Sequence, residues 1–257
     1  MRRLENKVAV VTGGGGGIGA ATAALFVREG ARVVVVGRTE DKLRKTVEAI
    51  GSENVSHVVA DVSKVEDTER YVGEAVSRHG GIDVLVSNAG YEGPYKAMTE
   101  HSVEEFDRVM STNVRGTWLS IKYAFPAMVK RGGGSVVITS SMAGLVGSPT
   151  HSAYTSSKHA LIGMARALAH DGAPHNIRVN AVCPGVIDNE MMASVHTRLA
   201  PGAEAAFQGA ISARVPLKRY GTNEEIARFN LFLASDESSY CTGGVYVADG
   251  GVTAGFM

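Results

Sequence analysis

Short runs of β-branched residues alternating with longer helical patterns predict an α/β chain, folded as a doubly wound parallel sheet of about seven strands with helices on both faces. Seven runs read as strands: KVAVV (7–11), RVVVV (32–36), VSHVV (55–59), DVLVS (83–87), SVVIT (135–139), IRVNAV (177–182) and VYVA (245–248). Most are apolar on successive residues rather than alternating, as in strands covered on both faces. Helical stretches near 20–29, 40–50, 64–79, 102–131, 153–170 and 223–234 supply the crossovers between parallel neighbours. No linker or composition break divides the 257 residues, which argues for a single domain over 1–257. One stretch, about 184–222, shows no regular pattern and is rich in methionine, alanine and glycine. An irregular segment that long in a compact domain is expected to be a lid or binding segment, here the substrate-binding segment at about 186–222.

Composition excludes several classes. Lys and Arg number 26 against 26 Asp and Glu, so no basic footprint invites nucleic acid or an anionic membrane. No run approaches the ~18 apolar residues that span a bilayer, and the opening MRRLENKVAVVTGG breaks its apolar run too soon for a signal peptide. Cys183 and Cys241 lie far apart without metal-ligand spacing, which argues for a reducing, cytoplasmic setting and against a metal site.

The first strand runs straight into TGGGGGIG (12–19) and then a small-residue helix, AATAALFVREG. Glycines let the backbone turn sharply against a pyrophosphate, while the next helix offers free N–H groups and a positive dipole end. Strand before and helix after favour nucleotide binding over a merely flexible turn, so the fold is Rossmann-type and Gly13, Gly16, Gly17, Ile18 and Gly19 are candidate cofactor contacts. At the end of the second strand, VVVVGRTE puts Gly37 where an acid would bind a ribose 2′-hydroxyl, and Arg38 follows. A basic residue there suits a 2′-phosphate, which favours NADP(H) with NAD(H) possible. The alternative is an Arg38 that stacks on adenine or faces solvent, and the glycine loop carries no second basic residue.

In AYTSSKHALIG (153–163), Tyr154 and Lys158 fall four apart on a helical pattern, hence on one face. A tyrosine with its ordinary pKa near ~10 is about a thousandth ionised at pH 7, and a nearby cation favours the phenolate. An oxidised nicotinamide would add to that charge. Ser141, ending SVVITS, can hydrogen-bond a carbonyl or alcohol oxygen, and the amide of Asn113, in STNVRG, can hold a water linking Lys158 to solvent. Taken singly, the pair reads as a solvated helix face and the serines as turn residues. Their conjunction with a dinucleotide loop reverses that reading.

With these motifs the chain resembles the short-chain dehydrogenase/reductase family in its single-domain form. The likeness spans nearly the whole chain: TGGGGGIG (12–19), DV (61–62), NAG (88–90), STNVRG (111–116), SS (140–141), YTSSK (154–158), CPG (183–185) and DGG (249–251) occur in order. The resemblance implies an NAD(P)(H)-dependent oxidoreductase interconverting a ketone and a secondary alcohol by hydride transfer. Tyr154 would be the acid/base and Lys158 would lower its pKa and hold the nicotinamide ribose. Ser141 would position the substrate oxygen, and Asn113 would anchor the proton relay. Asp61 and Val62 would contact adenine. Asn88, Ala89 and Gly90 would line the cofactor cleft, and Pro184, Gly185 and Ile187 would border the nicotinamide. Ser87 stands where the family usually has a second asparagine, and Asn189 where a threonine typically binds the carboxamide.

Specificity would come from YEGPY (91–95), MAGLVGSPTHS (142–152) and the stretch from Met191 to about Arg214. Met142, Leu145, Val186, Met191 and Phe207 are candidate apolar walls, with Glu92 and His151 as polar candidates, a lining for a medium-sized, largely neutral ketone or alcohol. The second reading is a 3-ketoacyl-(acyl carrier protein) reductase, whose basic docking patch would fall on Lys130 and Arg131, offset by Asp171. A non-catalytic dinucleotide sensor or scaffold ranks lower, because the four catalytic positions are intact. The family commonly forms homotetramers, which implies a homo-oligomer.

Overall fold

Successive valines of the central strand feed different cores. In a computed structural model describing residues 2–255, β1 (Val8–Thr12) sends Val10 to one face and Ala9 and Val11 to the other. The outermost positions of the expected 1–257 domain, residues 1, 256 and 257, lie outside the described residues. Alongside run β2 (Arg32–Gly37), β3 (Val55–Val59), β4 (Val84–Ser87), β5 (Gly134–Thr139), β6 (Ile177–Pro184) and β7 (Val245–Ala248). All pairings are parallel, in one seven-stranded sheet of order β3-β2-β1-β4-β5-β6-β7. Each strand predicted from sequence is present to within two residues at its ends.

Val34, Val36, Leu85, Val136 and Ile138 pack under α3 (Val65–His79), α5 (Gly116–Lys130) and α6 (Ser152–Gly172), through Tyr71, Ile121, Met128 and Leu161. Val33, Val35, Val86 and Val137 pack under α1 (Gly17–Arg28), α2 (Glu40–Ile50) and α9 (Asn223–Ala234), through Phe26, Leu43, Ile226 and Leu231. Continuous apolar runs in β1, β2, β4 and β5 follow because both faces of these inner strands are dry, unlike the edge strands β3 and β7. Between α1 and α9 a buried amide, Asn230 Nδ2, donates to Thr22 Oγ1 at 2.9 Å.

Two expectations need correction. The helical stretch 102–131 is not one regular helix: α4 (Val103–Met110) passes through a π-helical turn, Ser111–Arg115, before α5 begins. The turn widens where Asn113 is drawn inward to bond a neighbouring loop, and such turns gather at functional sites. The stretch 184–222 is not irregular, because α7 (Glu190–Leu199) and α8 (Glu204–Arg214) lie within it. Neither carries a helical apolar stripe: α7 buries only Val195 and His196, and α8 buries no residue fully. Their sequences therefore lack the period that reveals a core-facing helix. Among the described residues no helix is long and apolar enough to cross a membrane.

At the amino edge of the sheet, Asp83 accepts from the backbone N–H of Val8 at 2.8 Å and from Arg131 Nε and Nη2 at 3.1 Å each. Replacing Asp83 by Ala leaves a buried N–H unpaired, which costs about 1–3 kcal/mol. Urea unfolding is expected to show that loss at unchanged slope, and an unchanged midpoint contradicts this account.

Candidate active site

β1 pairs with β2 on one side and β4 on the other, so the crossovers leave in opposite directions and open a crevice at the carboxyl ends of the strands. A cleft of about 1040 Å3 lies there. It is lined by the strand-end segments Gly37–Arg38, Ala60–Val62, Asn88–Gly90, Thr139–Ser141 and Pro184–Ile187.

Gly13, Gly16, Gly17 and Ile18 line this cleft, but Gly19 does not. Gly19 instead lets α1 close on the loop: a Cβ there would lie 2.2 Å from the Gly13 carbonyl oxygen. The Asn88–Gly90 segment is fastened to the same loop. The Thr12 hydroxyl oxygen accepts from the N–H groups of Asn88 and Ala89 at 3.0 Å each, and Asn88 Nδ2 donates to the Thr12 carbonyl at 3.1 Å. Arg38 lines the cleft together with Lys42, from the first turn of α2. Sequence reading missed Lys42, because Arg38 precedes α2 and no helical spacing links the two. Lys42 pairs across the cleft with Glu190 of α7. Asp61 and Val62 line the same end, and Asp61 is held by Ser63, whose N–H and hydroxyl donate to Oδ1 at 3.0 and 2.8 Å.

Ser141, Tyr154 and Lys158 meet farther along the cleft. Ser141 Oγ accepts from the Ala143 N–H at 3.1 Å, which leaves its own hydrogen to donate. Tyr154 and Lys158 share one face of α6, with Nζ 5.4 Å from the phenol ring centroid. Lys158 is buried and donates to the Thr139 carbonyl at 2.9 Å. Burial pushes its pKa down to about 8. Burial also pushes the Tyr154 phenol above its ordinary value, against a downward pull from Ser141 and with upward pushes from Tyr95 and Glu92. The protein's own groups therefore favour the neutral phenol.

Asn113 reaches this region, where both its amide hydrogens are engaged. Oδ1 accepts from the Tyr91 N–H at 2.7 Å, and Nδ2 donates to the Tyr91 carbonyl and to Ser157 Oγ, both at 2.9 Å. It thus ties the 91–95 loop to α6 with both amide hydrogens, which leaves the second lone pair of Oδ1 for any water. Ser87 bonds the Thr117 hydroxyl at 3.0 Å. Asn189 lines the cleft as the cap of α7: its Oδ1 accepts from the Met192 N–H at 3.1 Å, and its Nδ2 points to Asn223 Oδ1 at 3.4 Å.

Met142, Val186, Met191, Glu92 and His151 all line the substrate end. Leu145 and Phe207, expected there, are not on the lining; Phe207 packs edge-on against His196, with ring centroids 5.6 Å apart. Glu92 pairs with Arg198 of α7. Lys130 and Arg131, the expected docking patch, lie at the opposite edge of the sheet, where Arg131 is spent on Asp83. Tyr95 and Arg214, the end residues of two segments expected to set specificity, also line the cleft. Among the described residues no cluster of side chains has the makings of a metal site.

A family model described as enoyl-(acyl carrier protein) reductase matches residues 13–253. An uncharacterized oxidoreductase of Thermotoga maritima is 43% identical over 254 residues, covering 98% of this chain and 99% of that protein. A 3-oxoacyl-[acyl-carrier-protein] reductase of the same organism is 40% identical over 253 residues, covering 97% and 99%. The crystal structure of levodione reductase superposes with a TM-score of 0.96 at 34% identity, covering 99% of this chain and 100% of that one. The chain belongs to the short-chain dehydrogenase/reductase family. It is an oxidoreductase of the kind that interconverts alcohols and ketones with an NAD(P)-type dinucleotide. The cleft suits that group. At Gly90 a Cβ would stand 3.6 Å from both Lys158 Nζ and Asn113 Oδ1, filling the space between the loop and those two side chains.

The buried lysine also makes the enzyme's stability depend on pH. Its folded pKa is about 8 against an ordinary 10.5, so between those values the unfolded chain binds more protons and stability rises with pH. The stability of the Lys158→Met variant relative to wild type is therefore expected to fall by about 1 kcal/mol per pH unit from about pH 8 to 10. Parallel pH–stability curves for the two proteins would contradict the depressed value.

Proposed function

We propose that this enzyme interconverts a medium-sized, largely neutral ketone and its secondary alcohol with NADP(H), using Tyr154 as the acid/base. The observation that carries the reading is the meeting of Ser141, Tyr154 and Lys158 in the cleft that holds the glycine loop. The Ser141 hydroxyl donates to the substrate oxygen and sets it against the Tyr154 hydroxyl. In reduction the phenol gives its proton to the oxygen as charge builds there, and in oxidation the phenolate takes it back. A phenol kept neutral by burial is ready to donate. Lys158 has protons left after its bond to Thr139, one to hold the ribose and one to steady the phenolate. Asn113 holds the Tyr91 loop and α6 in register around it. When bound, the nicotinamide accepts or supplies the hydride at the carbinol carbon. Met142, Val186 and Met191 form the apolar walls.

For the 2′-phosphate, Arg38 and Lys42 offer two cations at the rim, and Gly37 leaves no carboxylate to compete for a ribose hydroxyl. The second reading, a 3-oxoacyl thioester reductase, draws support from Arg214 on the cleft wall, which has no ion-pair partner among the described residues, and from the acyl-carrier reductase relative. A homo-oligomer fits the apolar side chains left uncovered on α4 and α5, including Val103 at 71% exposure and Trp118 at 46%. Two free cysteines fit a cytoplasmic setting.

A turnover screen of ketones, secondary alcohols and 3-oxoacyl thioesters tests the reading. The Tyr154→Phe variant is expected to lose about 10²–10⁴ in kcat while its dinucleotide affinity, from fluorescence titration, stays within about threefold. Surviving turnover would overturn the role of Tyr154. In the same assay the parent is expected to prefer NADP(H), and Arg38→Asp to shift the NADP/NAD ratio of kcat/KM by about tenfold or more toward NAD. A parent already preferring the unphosphorylated nucleotide rules out the 2′-phosphate role of Arg38 and Lys42.

A further inference from the structure

One wall of the substrate end is a stack of three rings, of which the chemistry above uses only Tyr154. His151, just before α6, is buried with its imidazole between two tyrosines. It lies 4.0 Å from the Tyr95 ring at 25° between planes, and 4.5 Å from the Tyr154 ring at 10°. Its Nε2 stands 2.7 Å from the backbone carbonyl of Glu92. A carbonyl oxygen only accepts, so Nε2 carries the hydrogen and the tautomer is fixed. Burial is the largest effect and opposes a second proton on the ring; the Glu92 carbonyl pulls the other way, and the nearby Arg198 and His101 add smaller opposition to that proton. The unshared pair is then on Nδ1.

Nδ1 receives no hydrogen bond from any described residue. Both ring nitrogens of His101 are sealed from solvent without partners; Nδ1 of His151 is not, and His151 lines the cleft. Of the neighbouring polar groups, Glu92 Oε2 is buried without a partner. Glu92 Oε1 and the Arg198 guanidinium hold one another, and Arg198 Nη1 also donates to the Gly93 carbonyl at 3.3 Å.

We propose that Nδ1 of His151 accepts a hydrogen bond from a second hydroxyl on the substrate, which makes diols and hydroxy ketones the preferred class. This rests on the reading of Tyr154 as the acid/base. Because the two rings are stacked almost parallel, a donor at Nδ1 and the oxygen at the Tyr154 phenol belong to one small molecule, with the second hydroxyl close to the reacting carbon. A neutral imidazole in this tautomer accepts and cannot donate toward the cleft, so it selects a hydroxyl over an ether or a halide. Leaving a buried acceptor unpaired penalises the substrate that lacks the donor. The stack also fixes the plane of the Tyr154 ring, so that one side chain positions both the acid/base and the second hydroxyl.

The test uses 2-, 3- and 4-hydroxycyclohexanone and their methyl ethers, with kcat/KM measured for each pair. Wild type is expected to prefer the hydroxy ketone of at least one pair by about tenfold or more. His151→Phe keeps a flat ring for the stack but removes Nδ1, and it is expected to bring that ratio toward one. His151→Gln, which restores an acceptor, is expected to recover part of it. A merely structural role lowers both members of a pair alike and leaves the ratio unchanged, and that result overturns the proposal. So does a wild type with no preference in any pair. Turnover that survives Tyr154→Phe instead counts against the acid/base reading. Calorimetric titration of the same pairs into the dinucleotide complex then decides the His151 contact, which must weaken for the hydroxy ketone alone in His151→Phe.

Discussion

A lysine ammonium sealed inside the domain is the constraint around which the cleft is arranged. Desolvating Lys158 is unfavourable enough to bring its pKa down to about 8, and the protein offsets this with a bond to the last carbonyl of β5. That bond fixes α6 against the carboxyl end of the sheet. Ser140 adds a second tie, its hydroxyl donating to the Lys158 backbone carbonyl at 2.8 Å. Tyr154, one turn earlier on the same helix, is thereby brought beside Ser141, and the stacked His151 ring sets its plane. Gly90 leaves the space into which the ammonium projects. A destabilising group thus serves as the reference point for the whole proton-handling end.

The dinucleotide end is organised differently, by short backbone contacts. Thr12, the last residue of β1, uses its hydroxyl to hold Asn88 and Ala89, so the glycine loop and the end of β4 move as one piece. Gly19 brings α1 onto that piece. The two ends meet through the π-turn, where Asn113 bonds both the Tyr91 backbone and Ser157 on α6. A regular α-turn would not carry the same side chain to both partners, which accounts for the break between α4 and α5.

What was legible in the sequence was local. The glycine loop followed a strand and opened a helix, Tyr154 and Lys158 were one turn apart, and unbroken valines announced dry strands, so fold and cleft could be read from spacing alone. What was illegible depended on partners distant in sequence. Lys42 meets Glu190 across 148 positions, and Arg198 meets Glu92 across 106. Leu145 and Phe207 looked like walls by composition, yet Phe207 is occupied by His196. Asn113 was placed in the right region, but its bonds to Tyr91 and Ser157 were not foreseen, because no spacing rule shows which groups an amide will find. α7 and α8 escaped because a helix resting over a cleft buries too little to show a period.

That shallow burial bears on how α7 behaves. Its first turn is tied to α2 through Glu190 and Lys42, and its last to the 91–95 loop through Arg198 and Glu92. Lys42 and Glu190 are more than half exposed, and pairs of that kind contribute about 0–1 kcal/mol each. Only Val195 and His196 are buried, so little apolar surface holds the helix down. The same helix therefore touches both lips of the cleft, beside Arg38 through an exposed pair that costs little to exchange and beside His151 through Arg198 and the largely buried Glu92. A phosphate drawing Lys42 away from Glu190 would loosen the first turn, while the Asn189 cap, internal to the helix and its N-terminal neighbour, would remain. Events at the dinucleotide rim are in this way mechanically continuous with the wall that faces the substrate, because one weakly held element spans the distance between them.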